Sequence, residues 1–143
     1  MTLEECFERR QLRSTSPDLL KSAKSVATAE EKLNEAEQLS RAGFRKAAIV
    51  MAYAAMFHAG RALLFKDGIV EKSHYCLVQY LNEKYVKTGK LENRLITIMD
   101  SFREERHDVM YGLERLTVKE GEEKTAIENA KELIEVVKKL LRS

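Results

Sequence analysis

The stretch Phe44–Lys66, FRKAAIVMAYAAMFHAGRALLFK, decides the fold. From Ala47 to Phe57 it is apolar on nearly every side of a helix, the pattern of a central helix covered all round. Its many alanines and Gly60 let neighbouring helices approach closely, and Asp67 with Gly68 supplies the stop and the turn. Upstream of it, Leu19, Ser22, Val26, Ala29, Leu33, Ala36 and Ser40 recur at heptad spacing from Asp18, with Gly43 as the C-terminal cap. That pattern predicts an amphipathic helix about 25 residues long.

Before this helix, a short one over Leu3–Leu12 ends at Arg13–Ser16, where Ser16 followed by Pro17 marks a new helix start. Downstream, Ser73 is an N-cap for a helix carrying Cys76, Leu77, Tyr80, Leu81 and Tyr85 to Gly89, and a fifth helix runs from Leu91 to Gly112. The pattern breaks between Leu113 and Glu123, where Thr117–Glu120 reads as a capping box for the last helix. That helix places Ile127, Ala130, Leu133, Ile134, Val137, Leu140 and Leu141 on one face. Short connections between long helices imply antiparallel neighbours. The expectation is an all-α fold, an up-and-down antiparallel bundle of five to six helices. It forms a single domain over residues 1–143, with the short helix of residues 1–13 outside the main bundle motif.

Composition agrees and narrows the function. The 143 residues suit one domain, and 44% hydrophobic with 34% charged residues, one proline and no tryptophan favour helix. A net charge of only +2 excludes a chain that binds nucleic acid by bulk charge, so such binding needs a local cluster of cations. Cys6 and Cys76 lie far apart without CxxC spacing, which predicts free thiols in a reducing cytosol and neither disulfide nor zinc site. Three scattered histidines without carboxylates at ligand spacing argue for no metal and no cofactor. The N-terminus MTLEECFERRQ lacks a signal-peptide core, and no uninterrupted apolar run reaches the roughly 18 residues of a membrane span. A cytoplasmic location without a membrane partner is expected. Phosphate loops, nucleophile elbows and metal motifs of small-molecule enzymes are absent from the sequence.

The fifth helix carries an interruption. Its apolar stripe reads Leu91, Leu95, Ile98, Phe102, Arg106, Val109, Leu113, so Arg106 stands where the period asks for an apolar side chain. Arg103 lies one turn earlier, and His107 follows it by four residues on an adjoining face. A guanidinium screened from water must be paired or await an anion, which leaves a salt bridge inside the bundle and an anion site as the two readings. On the central helix, His58 sits three residues before Arg61; the pair extends a cationic cleft, or His58 is a satisfied core or interface histidine. His74, just after Ser73, is assigned to capping and packing, and Tyr53 and Phe57, one turn apart, to the core.

The run Ala36, Glu37, Leu39, Gly43, Ala47, Ala48, Tyr53, Phe57, His58, Ala59, Arg61, Ala62, Leu63, Leu64, Gly68, then Ser73 and His74, resembles the HEPN domain (higher eukaryotes and prokaryotes nucleotide-binding). The nearest likeness is to its small stand-alone prokaryotic branch. The segment Arg106, His107, Asp108, Val109, Met110, Tyr111, Gly112 is similar to the arginine-bearing motif near the end of that domain. In ribonuclease members an arginine is followed after four to six residues by a histidine, and two such motifs meet across a homodimer to cut RNA without a metal. Here, with four residues between, Arg106 is followed by Tyr111, and the frame from Arg103 to His107 has only three residues between. A tyrosine with a pKa of about 10 is a poor base at neutral pH, though it can donate to phosphate or stack on a base.

The resemblance therefore implies a homodimeric nucleotide- or RNA-binding module. Arg106, Tyr111 and His107 take the catalytic positions if it cuts, and Arg103, Arg106, Arg61 and His58 hold the ligand. It also implies a toxin–antitoxin pairing with a nucleotidyltransferase-type partner. The competing expectation is a non-catalytic protein-interaction bundle in which the arginine is paired.

Overall fold

The structure is a computed structural model. It describes residues 1–111 and 118–143, with the side chains of Asp108, Val109 and Tyr111 outside the description. Among the described residues the elements are α1 (Leu3–Glu8), β1 (Leu12–Ser14), α2 (Leu19–Arg41), α3 (Arg45–Asp67), β2 (Ile69–Glu71), α4 (His74–Leu81), α5 (Asn93–Tyr111) and α6 (Glu122–Arg142). The fold is the expected all-α helical bundle. Helix α3 is its axis, packed against α2, α4, α5 and α6, with Ile49, Tyr53, Met56, Leu63 and Leu64 buried. By length and composition α3 would also suit a membrane span, but most of it is buried inside the bundle, which accounts for its apolar girth.

Small residues set the spacing around α3. A Cβ added at Gly60 would lie 2.9 Å from Leu81 Cδ1 and 3.2 Å from Leu77 Cδ2, so this glycine lets α4 settle against α3. On α2, the stripe position Ser22 and its neighbour Ser25 donate to the α3 carbonyls of Ala62 and His58, each at 2.7 Å. Their hydroxyls satisfy buried polarity where a larger apolar side chain would push the helices apart. The first member of the expected stripe, Leu19, departs from it and is 66% exposed, because it stands at the end of α2 beyond the packed face.

Two local expectations are corrected, and the start of the last helix, left open by the sequence, is placed. Helix α1 stops at Glu8, and Leu12–Ser14 pairs antiparallel with Ile69–Glu71, Leu12 opposite Glu71; the backbone of a segment too short for a stable helix is satisfied by a strand partner far along the chain. The last helix starts at Glu122 after Gly121, whose φ of +94° favours glycine. The Thr117 member of the expected capping box lies outside the described residues. Finally, Cys6 and Cys76 are not free thiols: they form a disulfide across 70 residues, with Cα atoms 5.8 Å apart, because α1 packs on α4.

Helix α4 continues into one π-helical turn, Asn82–Val86. Residues five apart then share a face, so the hydroxyls of both Tyr80 and Tyr85 reach Asp67 Oδ2, at 2.9 and 2.7 Å. Asp67, the last residue of α3, is thus tied to α4. The start of α4 is fixed as well: the Ser73 Oγ accepts from the Cys76 amide at 3.2 Å, the expected N-cap.

Candidate anion-binding site

A column of planar side chains runs along α3 and across to α4 and α5. Arg61 lies over Phe65 at 5.2 Å and over Phe57 at 5.9 Å. Phe57 stacks on His74 at 4.1 Å with the planes 13° apart. The His74 ring lies 5.7 Å from that of Tyr53, and Arg106 caps the column 5.4 Å over Tyr53. Residues 53, 57, 61 and 65 recur every four positions, so one face of α3 supplies most of the column. Arg106 at one end, and Arg61 between Phe57 and Phe65 toward the other, are guanidinium groups over aromatic faces, a favourable cation–π arrangement.

The two ends differ in their counter-charges. Arg61 Nε lies 3.0 Å from Glu71 Oε1, although the angle falls outside hydrogen-bond geometry and leaves Nε without a formal acceptor. For Arg106 no ion pair is seen among the described residues. Among the described residues its buried Nε has no hydrogen-bond partner, and its Nη1 meets the Met110 sulfur at 3.9 Å. A guanidinium has five donors, and among the described residues most of those of Arg106 meet no acceptor. The salt-bridge reading of Arg106 thus finds no partner among the described residues.

Beside Arg106 opens a cleft of about 620 Å³, lined by Ser73, His74, Tyr75, Arg103, Glu104, Arg106 and His107. Helix α5 provides one wall and the first turn of α4 the other. Arg103 is held by its own helix, at 2.8 Å from Asp100 and 3.6 Å from Glu104, and lies 5.6 Å over the Tyr75 ring. The α4 wall is a helix N-terminus, whose backbone N–H groups and partial positive charge favour an anion, and the α5 wall adds the guanidinium groups of Arg103 and Arg106.

His74 sits at the junction. Its Nδ1 is 2.8 Å from the Tyr53 hydroxyl. Burial first, then the charges of Arg106, Arg103, His58 and Arg61, lower its pKa from 6.5 to about 4. The ring is neutral at neutral pH. Burial raises the pKa of Tyr53, against the lowering influence of Arg106 and Arg103, so the phenol keeps its proton.

Of the residues singled out by sequence, the structure gathers Arg103, Arg106 and His107 on the cleft. Tyr111 ends α5, and its side chain lies outside the described residues. Arg61 does not line the cleft, being drawn to Glu71 at the far end of the column. His58 does not line it either; its ring meets Phe57 edge-on at 5.4 Å, and burial, then Arg61 and Lys32, lower its pKa. Tyr53 lies in the core and His74 packs on Phe57, as expected from the sequence; what sequence reasoning did not see is that His74 also lines the cleft and is hydrogen-bonded there by the Tyr53 hydroxyl. One signal was present: a buried tyrosine in an otherwise apolar helix carries a hydroxyl that needs a partner.

The architecture defines a helical domain with a cationic cleft between its fourth and fifth helices. A family model, the HEPN domain, matches residues 22–140. The chain belongs to the HEPN domain family, whose domains are in general nucleotide-binding or ribonuclease-like. Helix α1 and β1 precede the matched stretch. A comparison with curated proteins finds none that matches.

Proposed function

We propose that the cleft binds the phosphate of a nucleotide or of single-stranded RNA, with Arg106 as its principal cation. The observation that supports this most is Arg106 itself: half-buried, over Tyr53, and with no carboxylate partner among the described residues. An anion would supply a counter-charge to a half-buried guanidinium, where charge-assisted bonds are stronger than in open water. Arg103 adds a second cation, weakened by its two acidic neighbours. Half-buried Tyr75 and Arg103, stacked together on the cleft, offer planar groups for a base.

Binding suits this geometry better than cutting. Metal-free RNA cleavage needs a base near neutral pH for the 2′-hydroxyl proton, plus cations for charge growing on the phosphate. The arginines supply the second. The Nδ1 of His74 is engaged with the Tyr53 hydroxyl at 2.8 Å, and His107, exposed on the cleft wall, is the other imidazole lining the cleft. The same proposal takes the domain as a homodimer whose two clefts face a shared groove, acting beside a nucleotidyltransferase-type partner.

The test is binding and cleavage of a labelled eight-nucleotide single-stranded RNA in excess chelator. Arg106→Met should weaken binding by about tenfold or more, the scale of one lost bond between charged groups. Metal-free cutting lost in that variant would make the protein a ribonuclease despite Tyr111 in the histidine position. Neither binding nor cutting by the wild-type protein would leave the protein-interaction bundle as the better reading. Light scattering that gave a monomer across micromolar concentrations would remove the shared groove.

A further inference from the structure

We propose that His74 donates its Nε2–H to the phosphate bound in this cleft, held in that tautomer by the hydroxyl of Tyr53. The inference rests on the phosphate-binding reading of the cleft and adds to it a neutral donor and a residue that positions it.

The tautomer follows from one hydrogen bond. Tyr53 is 1% exposed, and its hydroxyl has a single hydrogen-bond partner among the described residues, His74 Nδ1 at 2.8 Å. A buried O–H needs an acceptor. If Nδ1 carried the ring proton, it would donate to the phenolic oxygen and leave the Tyr53 hydrogen with no acceptor. If Nδ1 is bare, the phenol donates to it and both groups are satisfied. The ring proton then resides on Nε2, the remaining hydrogen-bonding atom of a ring that lines the cleft.

The surroundings hold this arrangement. Phe57 stacks on one face of the imidazole at 4.1 Å, and the ring cannot swing without losing that contact and the Tyr53 bond together. The residue before it, Ser73, caps α4, and two residues later Cys76 anchors the helix through the disulfide to Cys6. Around the ring stand Arg103 and Arg106 from α5 and His58 and Arg61 from α3, all opposing a further positive charge. A donor that needs no charge fits that setting better than an imidazolium. For the same reason His74 is no base toward a 2′-hydroxyl: the atom that would accept the proton already carries one.

Nuclear magnetic resonance of the full chain labelled with 15N-histidine reads the tautomer directly, because a protonated and a bare ring nitrogen differ widely in shift. Between pH 5.5 and 8, His74 should show a protonated Nε2 and a bare Nδ1, and Tyr53→Phe should relax that preference. With the labelled eight-nucleotide RNA as probe, His74→Phe, which keeps a flat ring on Phe57, should bind about tenfold more weakly. His74→Gln, which offers an N–H, should recover part of that loss. Tyr53→Phe should weaken binding by less than His74→Phe, since it frees the donor without deleting it. A protonated Nδ1 in the wild-type protein overturns the tautomer. Unchanged binding in His74→Phe overturns the donor role alone, whereas a wild-type protein that binds no RNA overturns the reading of the cleft as well.

Discussion

The two ends of the aromatic column are built alike and finished differently. Arg61 and Arg106 each lay a guanidinium over an aromatic ring of α3, at 5.2 and 5.4 Å, on a largely apolar helix face. At the Arg61 end, β2 brings in Glu71, whose side chain is 5% exposed, and the charge is met inside the fold. At the Arg106 end the fold opens a cleft instead. An arginine on an apolar stripe therefore marks a site only when nothing nearby cancels it, and that depends on which acid the rest of the chain delivers.

The largest expected effect concerns what holds both ends in register. The disulfide between Cys6 and Cys76 closes a loop of 70 residues and fastens α1 to α4, the helix that carries His74 in the middle of the column. Opening a loop of that size costs about 4 kcal/mol by the chain-entropy estimate. Urea melts of the wild-type protein with and without reductant should show that loss, and Cys76→Ser should match the reduced wild type. A midpoint indifferent to reductant would mean that α1 is not part of the cooperative unit that positions the column.

Next in size is the paired end. Arg61→Met leaves the Glu71 carboxylate buried without its cation, and Glu71 Oε2 already lacks a partner. Because Arg61 is partly exposed, the cost should fall at about 2 kcal/mol, below that of a fully buried pair. Adding Glu71→Gln should recover much of it, and the double-mutant cycle should show coupling. Independent, additive losses would sink the distinction between a paired and an unpaired end.

Acid should act at the middle of the column. The folded pKa of His74 lies at about 4 against an ordinary 6.5, and that of His58 is lowered too. For a depressed pKa the stabilising contribution is complete above the ordinary value and is lost as pH falls through the folded one. His74 should therefore contribute fully above about pH 6.5 and progressively less toward pH 4, on the order of 1 kcal/mol after allowance for solvent screening. Thermal melts across that window should show His74→Gln losing less stability than the wild type.

How far this was legible in the sequence differs by scale. Period alone located the central helix, because an all-round apolar segment such as Ala47–Phe57 has few places to go except the middle of a bundle. Arg106 was legible for the same reason, as a break in a period. What spacing does not encode is which distant residue meets which. Glu71 opposite Arg61, Tyr53 against His74 and Cys6 against Cys76 are each set by tertiary packing across 10, 21 and 70 residues. Cysteines outside any motif are silent about pairing until the helices that carry them are placed, and the reading of free thiols failed there. The β1–β2 pairing was hidden likewise, since three-residue strands carry too little pattern to register.

The smallest expected effect on stability is the sharpest test of the contrast. Replacing Arg106 by methionine removes a charge with no ion pair among the described residues and puts a flexible apolar side chain over Tyr53, where sulfur–aromatic contact is itself favourable. The cation–π term it gives up is about 0.5–1 kcal/mol, and relief of the buried, unpartnered Nε offsets it. The melting midpoint should hardly move while RNA binding falls. At the other end Arg61→Met should do the reverse, lowering the midpoint with a lesser effect on binding. If Arg106→Met proves as destabilising as Arg61→Met, Arg106 is already neutralised within the folded chain, and the cleft loses the unpaired charge that gives it an anion to seek.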